Sequence, residues 1–88
     1  MNKQDYNNLI ERAKPFINNE LMVNIGLKKT INLKSYKFID IQQTVGFSEE
    51  GKDFNFTMPS AIVINDKEEK RLIPLIEVVE YFEKSKTV

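Results

Sequence analysis

The chain has 88 residues, of which 41% are hydrophobic and 30% are charged, and its formal net charge is zero. This length and composition predict one small globular domain spanning residues 1–88, and the charge balance excludes a long-range field that would attract polyanions. Cysteine and histidine are both missing, which excludes disulfide bonds, thiolate metal sites and the side chain that most often acts as a general base.

The first segment has the 3.6-residue period of an amphipathic helix. Asn2 is suited to cap its first turn, where Asp5 complements the positive end of the helix dipole. Pro15 disfavours helical geometry at Lys14, so the helix is predicted to end there. The side chains expected to face the core are Tyr6, Leu9, Ile10, Ala13 and Ile17.

The middle of the chain changes to the two-residue period of β-strands. The alternation of apolar and polar residues predicts strands at residues 21–27, 38–47 and 54–58. Ile31 and Leu33 continue the alternation of the first strand, on its apolar side. A polar, glycine-containing turn is expected to join the second strand to the third.

A short, continuous apolar strand follows at residues 61–65, with the sequence AIVIN. The charged segment 66–70 is predicted to form a tight turn, which leads into a last strand at residues 71–73. Pro74 suits the first turn of a helix, because a proline there loses no intrahelical hydrogen bond.

The last segment again has helical period, with Ile76, Val79 and Phe82 as its buried stripe. The β-branched pair at residues 78–79 also suits a strand, so the sequence leaves both structures open over residues 75–84. The predicted fold class is α+β, with an N-terminal helix, an antiparallel meander of four to five strands and a C-terminal helix. Both helices are expected to pack on one face of the sheet.

The segment 27–37 is the most basic part of the chain. It contains four lysines, one tyrosine and no acidic residue, namely Lys28, Lys29, Lys34, Lys37 and Tyr36. On a continuous strand, Lys28, Lys34 and Tyr36 would share one face, where lysines could hold a phosphate backbone and an exposed tyrosine could stack on a base. The alternative interpretation is a solvated face, or a sheet edge that lysines protect from pairing with other chains.

Acidic residues offer two further candidate sites. Glu68 and Lys70, with Asp40 or Asp53, have the residue types of a nuclease metal site, but they fall at a predicted hairpin tip, where charges also serve solubility. On the last helix, a row of three glutamates (Glu77, Glu80 and Glu83) spans about 120° of the surface, too wide for one ion. That row is expected to be a solvated face or an acidic docking surface.

Aromatic residues are frequent, with six phenylalanines and three tyrosines. Most are expected in the core, because a thin core gains most from large side chains. Tyr36 and Tyr81 are the two expected to be exposed, and an exposed tyrosine beside charged residues is a common contact at protein interfaces. The predicted partner-binding residues are therefore Lys28, Lys29, Lys34, Tyr36, Lys37, Glu77, Glu80 and Tyr81.

The residue types favour a small, non-enzymatic binding protein that acts on a protein partner, as an inhibitor, adaptor or regulatory accessory protein. The composition, rich in Asn, Lys and Ile, is typical of AT-rich coding sequences and agrees with a phage or mobile element whose product acts on a host protein. A nucleic-acid-binding protein that uses the lysine-rich strand face is the alternative, and a carboxylate-based metal enzyme is a third hypothesis.

No cofactor or metal is expected. The amino-terminal residues lack an apolar export segment and no apolar run approaches membrane-spanning length, so the chain is expected to be cytoplasmic and not membrane-bound. The sequence leaves open whether the protein forms a homodimer.

Overall fold

A computed structural model of the protein describes residues 1–46 and 55–86. The four strands in these residues form one antiparallel sheet, in which each strand pairs with the next one along the chain. The α+β fold and the number of strands are therefore as predicted. The elements in chain order are helix α1 (Lys3–Ala13), a 3-10 turn (Lys14–Phe16), β1 (Glu20–Asn24), β2 (Leu33–Gln42), β3 (Ser60–Ile64), β4 (Lys70–Pro74) and helix α2 (Leu75–Lys86).

Both ends of α1 follow from the residues that flank it. The side chain of Asn2 accepts a hydrogen bond from the backbone N–H of Asp5 at 2.8 Å, which is the predicted cap. The regular helix ends at Ala13, and the 3-10 turn that contains Pro15 carries Phe16 into the core. Asn18 then adopts a positive φ of 77°, which reverses the chain into β1.

The core lies between the helices and one face of the sheet. Each strand contributes alternate residues to it, and the register places Leu21 beside Tyr36 and Phe38 beside Val63. No polar side chain is buried anywhere in residues 1–46 and 55–86. The buried residues form one cluster: Tyr6, Leu9, Ile10, Ala13, Phe16, Leu21, Tyr36, Phe38, Ala61, Val63, Ile73, Leu75, Val78, Val79 and Phe82.

A β-bulge in β2 changes which side chains of its second half face the core. Phe38 pairs with Val63, but Asp40 pairs with Ile62, so one extra residue is accommodated between them. As a result Ile41 lies opposite Ala61 and faces the core, although it is three positions from Phe38. Without the bulge the alternation would turn Ile41 to the other face.

α2 contacts the N-terminal segment through a ring stack with the 3-10 turn and an ion pair with α1. The rings of Phe16 and Phe82 stack with centroids 5.0 Å apart. Arg12 donates two hydrogen bonds to the carboxylate of Glu83, at 2.9 and 3.1 Å. Both side chains are about half exposed, so this pair adds little stability, and its main effect is to align α1 with α2.

α2 is a helix, which decides between the two alternatives for residues 75–84. Leu75, Val78, Val79 and Phe82 are buried, as the predicted stripe requires, and Ile76 is half-buried. Pro74 is the last residue of β4 instead of the first of the helix.

The charged turn between β3 and β4 is confirmed, and the side chain of Asn65 shapes it by accepting hydrogen bonds from the N–H groups of Lys67 and Glu69.

The predicted extent of two strands is wrong. β2 ends at Gln42, and Val45 is 89% exposed instead of facing the core. Residues 56–59 have no strand structure, and Asn55 makes only an isolated bridge to Asn2. The physical reason is that this segment pairs with the amino terminus and not with the sheet, since the N–H of Phe56 donates to Met1. Phe47, Phe54 and the predicted turn between them lie outside the described residues.

Tyr6 connects α1 to the segment after β2. Its hydroxyl accepts a hydrogen bond from the N–H of Thr44 at 2.9 Å and donates one to the Thr44 carbonyl at 3.2 Å. Its ring stacks on Phe56 with centroids 4.2 Å apart. Gly46 packs against the outer carbons of the same Phe56 ring. A Cβ added at this position would lie 2.5 Å from the Cζ of Phe56. The segments on both sides of residues 47–54 are thus joined to α1.

We predict that Tyr6→Phe lowers the free energy of unfolding by about 1–2 kcal/mol, because it leaves two part-buried backbone groups of Thr44 without a partner. Urea denaturation measures the change. Tyr36→Phe is the matched control, since that ring is also buried but its hydroxyl bonds to no described residue, and it should shift the free energy by less than about 0.5 kcal/mol. Equal losses in the two variants would contradict the role assigned to the Tyr6 hydroxyl.

Candidate functional site

The predicted basic strand is a hairpin loop with a strand on each side. β1 ends at Asn24, β2 begins at Leu33, and residues 25–32 connect them. The prediction of one continuous strand face is wrong because Asn24 ends the first strand. Its side-chain oxygen accepts hydrogen bonds from the N–H groups of Gly26 and Asn32, each at 3.0 Å.

The loop holds a defined shape through its own backbone bonds. Ile25 donates to the Asn32 carbonyl at 2.9 Å, and Thr30 donates to the Leu27 carbonyl at 3.0 Å. Gly26 is required here, since a Cβ at this position would lie 2.1 Å from the carbonyl oxygen of Thr30. The pair of asparagine and glycine two residues apart was the sequence signal for a turn, and it was missed because the alternation of apolar residues continues through it.

Three apolar side chains of this hairpin face solvent, where the sequence placed them in the core. Leu27 is 83% exposed, Ile31 is 78% exposed and Leu33 is 52% exposed. They are left uncovered because β3 pairs with β2 only from Lys37 onward, so the hairpin extends beyond the rest of the sheet. The overall extents of 46 × 29 × 26 Å agree with such a projection.

Basic side chains accompany these apolar ones. Lys28 and Lys29 form the turn between Leu27 and Ile31, and Lys28 has a positive φ of 53°. No acidic residue occurs between Glu20 and Asp40 in the sequence. We call the exposed residues Leu27, Lys28, Lys29, Ile31 and Leu33 the hairpin tip.

A cleft lies at the base of the hairpin, where β2 continues past the end of β3. It has a volume of about 720 Å³ and is bordered by the hairpin on one side and by the β3–β4 turn on the other. Four cations and three acids line it, together with Ile25, Ser35, Tyr36, Ile64 and Asn65. None of these charged groups forms an ion pair with another residue of the described ranges. The charged residues are Lys34, Lys37, Lys67, Arg71, Glu20, Asp66 and Glu69. We call this the β2 cleft.

The predicted basic residues therefore divide between two places. Lys28 and Lys29 belong to the hairpin tip, whereas Lys34 and Lys37 line the β2 cleft from opposite faces of the strand. Tyr36 is only 7% exposed, so the prediction that it is an exposed aromatic is wrong. Its ring belongs to the core because it lies beside Leu21, under the helices.

The predicted residues of α2 lie apart from the hairpin tip, beside the outer edge of β1. The hydroxyl of Tyr81 accepts a hydrogen bond from the N–H of Met22 at 3.3 Å, and its ring packs edge-on against Phe82. Glu77 and Tyr81 border a smaller cavity of about 240 Å³ against β1. Glu80 is exposed, with no hydrogen bond to any described residue. Tyr81 is 36% exposed, in agreement with the prediction.

The acidic residues do not converge where the structure describes them. Glu83 bonds to Arg12 and remains about half exposed, whereas the other two glutamates of α2 are exposed to solvent. Asp40 accepts a hydrogen bond from the adjacent N–H of Ile41 at 2.8 Å, and Glu68 lies in the β3–β4 turn. Asp53 lies outside the described residues. Among residues 1–46 and 55–86 no three acidic side chains are close enough to hold a metal ion.

Neither a protein-family model nor a curated protein nor a solved structure matches this chain. Of the helices in the described ranges, none has both the length and the apolar character needed to cross a membrane.

We predict that the apolar side chains of the hairpin tip do not stabilise the fold. Leu27→Ser combined with Ile31→Ser should change the free energy of unfolding by less than about 0.5 kcal/mol, because both side chains are already in water. Leu75→Ala is the control, since Leu75 is fully buried and its truncation should cost about 2–5 kcal/mol. Urea denaturation compares them, and a loss above about 1 kcal/mol in the double variant would show that the tip packs on the domain.

Proposed function

We propose that this protein is a non-enzymatic protein-binding domain, and that the hairpin tip contacts an acidic surface of its protein partner. The observation that carries the proposal is the exposure of Leu27 and Ile31 on either side of Lys28 and Lys29, on a hairpin that extends beyond the sheet. A shaped loop with apolar residues in water is unfavourable for the isolated domain, and such surfaces commonly mark interaction sites.

The energetics of the tip support a protein partner. Burying a leucine or isoleucine side chain completely contributes about 1.5–3 kcal/mol, so the two apolar residues can supply much of the free energy of a moderate complex. Lys28 and Lys29 then lie at the rim, where charges accelerate association and select an acidic partner more than they add affinity. An apolar centre with a polar rim is the usual anatomy of a protein interface.

Binding of nucleic acid is the alternative, and the burial of Tyr36 counts against it. Stacking on bases requires an exposed aromatic ring, and the exposed large side chains of the tip are aliphatic. The segment 27–37 also lacks arginine, the residue best suited to bidentate contacts with phosphates and bases. The remaining contribution to such binding is the electrostatic attraction between phosphates and the lysines Lys28, Lys29 and Lys34.

The class of function that we propose is an inhibitor, adaptor or regulatory accessory protein of a phage or mobile element, acting in the cytoplasm on a host protein. Its composition, rich in Asn, Lys and Ile, supports the origin, and the hairpin tip supports the mode of action.

We predict that a photo-crosslinking amino acid in place of Leu27 gives a protein adduct in the native host. The same amino acid in place of Gln43, an exposed residue just beyond β2, is the positional control and should give no such adduct. The adduct can be identified by mass spectrometry, and the partner then purified. An adduct with nucleic acid, or no adduct from position 27, would contradict the proposal.

With the purified partner, we predict that Lys28→Glu combined with Lys29→Glu weakens binding by about tenfold or more, because it reverses the charge at the rim. Lys3→Glu combined with Lys84→Glu is the matched control, since it makes the same change of charge on the two helices, and its affinity should stay within about twofold. Titration calorimetry measures both. Equal weakening would indicate a response to net charge alone.

Titration of the protein with labelled DNA and RNA at two salt concentrations tests the alternative. Phosphate contacts by several lysines weaken steeply as salt rises. Binding at low salt that is lost in the Lys28→Glu, Lys29→Glu variant would replace the proposed partner by nucleic acid. We expect no saturable binding of either nucleic acid.

A further inference from the structure

We infer that the β2 cleft binds an extended, acidic segment of the protein partner, which adds to the sheet by pairing with the backbone of Leu33 and Ser35. This inference rests on the proposed function and specifies how the partner is held. Addition of a strand to an open sheet edge is a common mode of peptide recognition, in which backbone hydrogen bonds give affinity and side chains give specificity.

The hydrogen bonds of the hairpin determine which backbone groups of β2 are open. In an antiparallel pair, bonded and non-bonded residue pairs alternate. Ile25 donates to Asn32, and Phe38 donates to Asn19, so the bonded residues of β2 on the β1 side are even-numbered. The N–H and C=O groups of Leu33 and Ser35 therefore point the other way, toward the side of β2 on which the cleft lies, and Ser35 is one of the residues that line the cleft.

Within the described residues, nothing occupies that side of β2 before Lys37. β3 pairs with Lys37 through Ile64 and then turns away at Asn65. The turn is fixed by the N–H of Glu68, which donates to the Asn65 carbonyl at 3.0 Å, and by the positive φ of 63° at Glu68. No other described group bonds to the backbone of Leu33 or Ser35.

The two outer edges of the sheet are less suited to such pairing. On β1, the outward N–H of Met22 is already bonded to the hydroxyl of Tyr81. On β4, Asn65 donates to Glu69, so alternation turns the backbone of Lys70, Leu72 and Pro74 outward, and Pro74 has no N–H to offer. Proline on an edge strand is a typical protection against pairing. The open part of β2, residues 33–36, contains no proline, and no described side chain bonds to the outward backbone groups of Leu33 and Ser35.

Cations outnumber acids around the cleft by four to three, and Lys34 lies between the two open residues of β2, which favours an acidic occupant over a basic one. Lys34 and Arg71 face the helix side of the sheet, and Lys37 faces the opposite side, so cations stand on both faces of an added strand. None of the three is paired with an acid of the described ranges. Carboxylates of the occupant would form charge-assisted bonds with them.

The length of the open edge limits the occupant. Two outward-facing residues, Leu33 and Ser35, correspond to about 7 Å of strand, so a segment of about three or four residues fills it. A contact this short binds weakly by itself. It fixes the direction of a partner segment whose remaining affinity comes from the hairpin tip.

The test is an NMR titration of the ¹⁵N-labelled domain with an acetylated and amidated hexapeptide of alternating Glu and Val. We expect saturable shifts of the Leu33 and Ser35 amide signals, with a dissociation constant of about 1 mM or lower. The fully N-methylated hexapeptide, which cannot donate backbone hydrogen bonds, should bind at least tenfold more weakly, and so should the Lys–Val hexapeptide. Absence of saturable shifts, or equal binding of all three peptides, overturns the inference.

Two variants test the backbone role from the side of the domain. Ser35→Pro removes the N–H that faces the cleft and leaves the bonds to β1, whereas Ser35→Ala keeps that N–H. We expect at least tenfold weaker binding of the Glu–Val hexapeptide by Ser35→Pro and unchanged binding by Ser35→Ala. Binding that is unchanged in a folded Ser35→Pro variant overturns the inference, and the N-methylated peptide decides the question if that variant does not fold.

The peptide titration and the partner-binding experiments can fail independently, so they test the cleft and the proposed function separately. A partner that is lost with Leu27→Ser and Ile31→Ser, together with a negative peptide titration, leaves the hairpin tip as the binding surface and removes only the cleft. A partner that is unaffected by changes in the tip removes the proposed function, whatever the peptides show.

Discussion

The staggered pairing of β2 is the constraint on which the rest of the structure depends. β2 has ten residues, its neighbours β1 and β3 have five each, and only Lys37 appears in both registers. The first half of β2 therefore belongs to the hairpin with β1, and the second half belongs to the sheet with β3 and β4. The region around Lys37 is where the sheet is complete, and the neighbouring Phe38 is fully buried there beneath the helices.

The same stagger produces both surfaces that we propose to be functional. Because β3 begins to pair at Lys37, no other strand of residues 1–46 and 55–86 pairs with the hairpin on that side, and its apolar residues Leu27 and Ile31 are exposed. For the same reason the backbone groups of Leu33 and Ser35 remain open to the β2 cleft. Extending β3 by four residues in the same register would pair it with residues 33–36 and close the open edge of β2. Under the proposed function, the groups that folding leaves exposed here would supply the free energy of binding.

The elements of the fold could be predicted because their signals are local. The cap at Asn2, the break at Pro15 and the apolar stripe of α2 act over a few residues, and the structure has each of them. For the candidate site, the sequence could predict which residue types are present but not how they are arranged. The lysines were identified, but whether Tyr36 is exposed depends on which strand lies beside it, and that is a property of register between distant segments. Alternation alone also could not show that Leu27 and Ile31 are exposed to solvent.

Amide hydrogen exchange in β2 of the free domain tests the staggered pairing most directly. The account predicts that the amides of Lys34 and Tyr36, which bond to β1, exchange at least about a hundredfold more slowly than those of Leu33 and Ser35. The two slow amides and the two fast ones lie in one continuous strand, so fraying of the whole hairpin cannot produce the alternation. Comparable protection of all four amides would contradict the account, since it would mean that another segment already pairs with this edge.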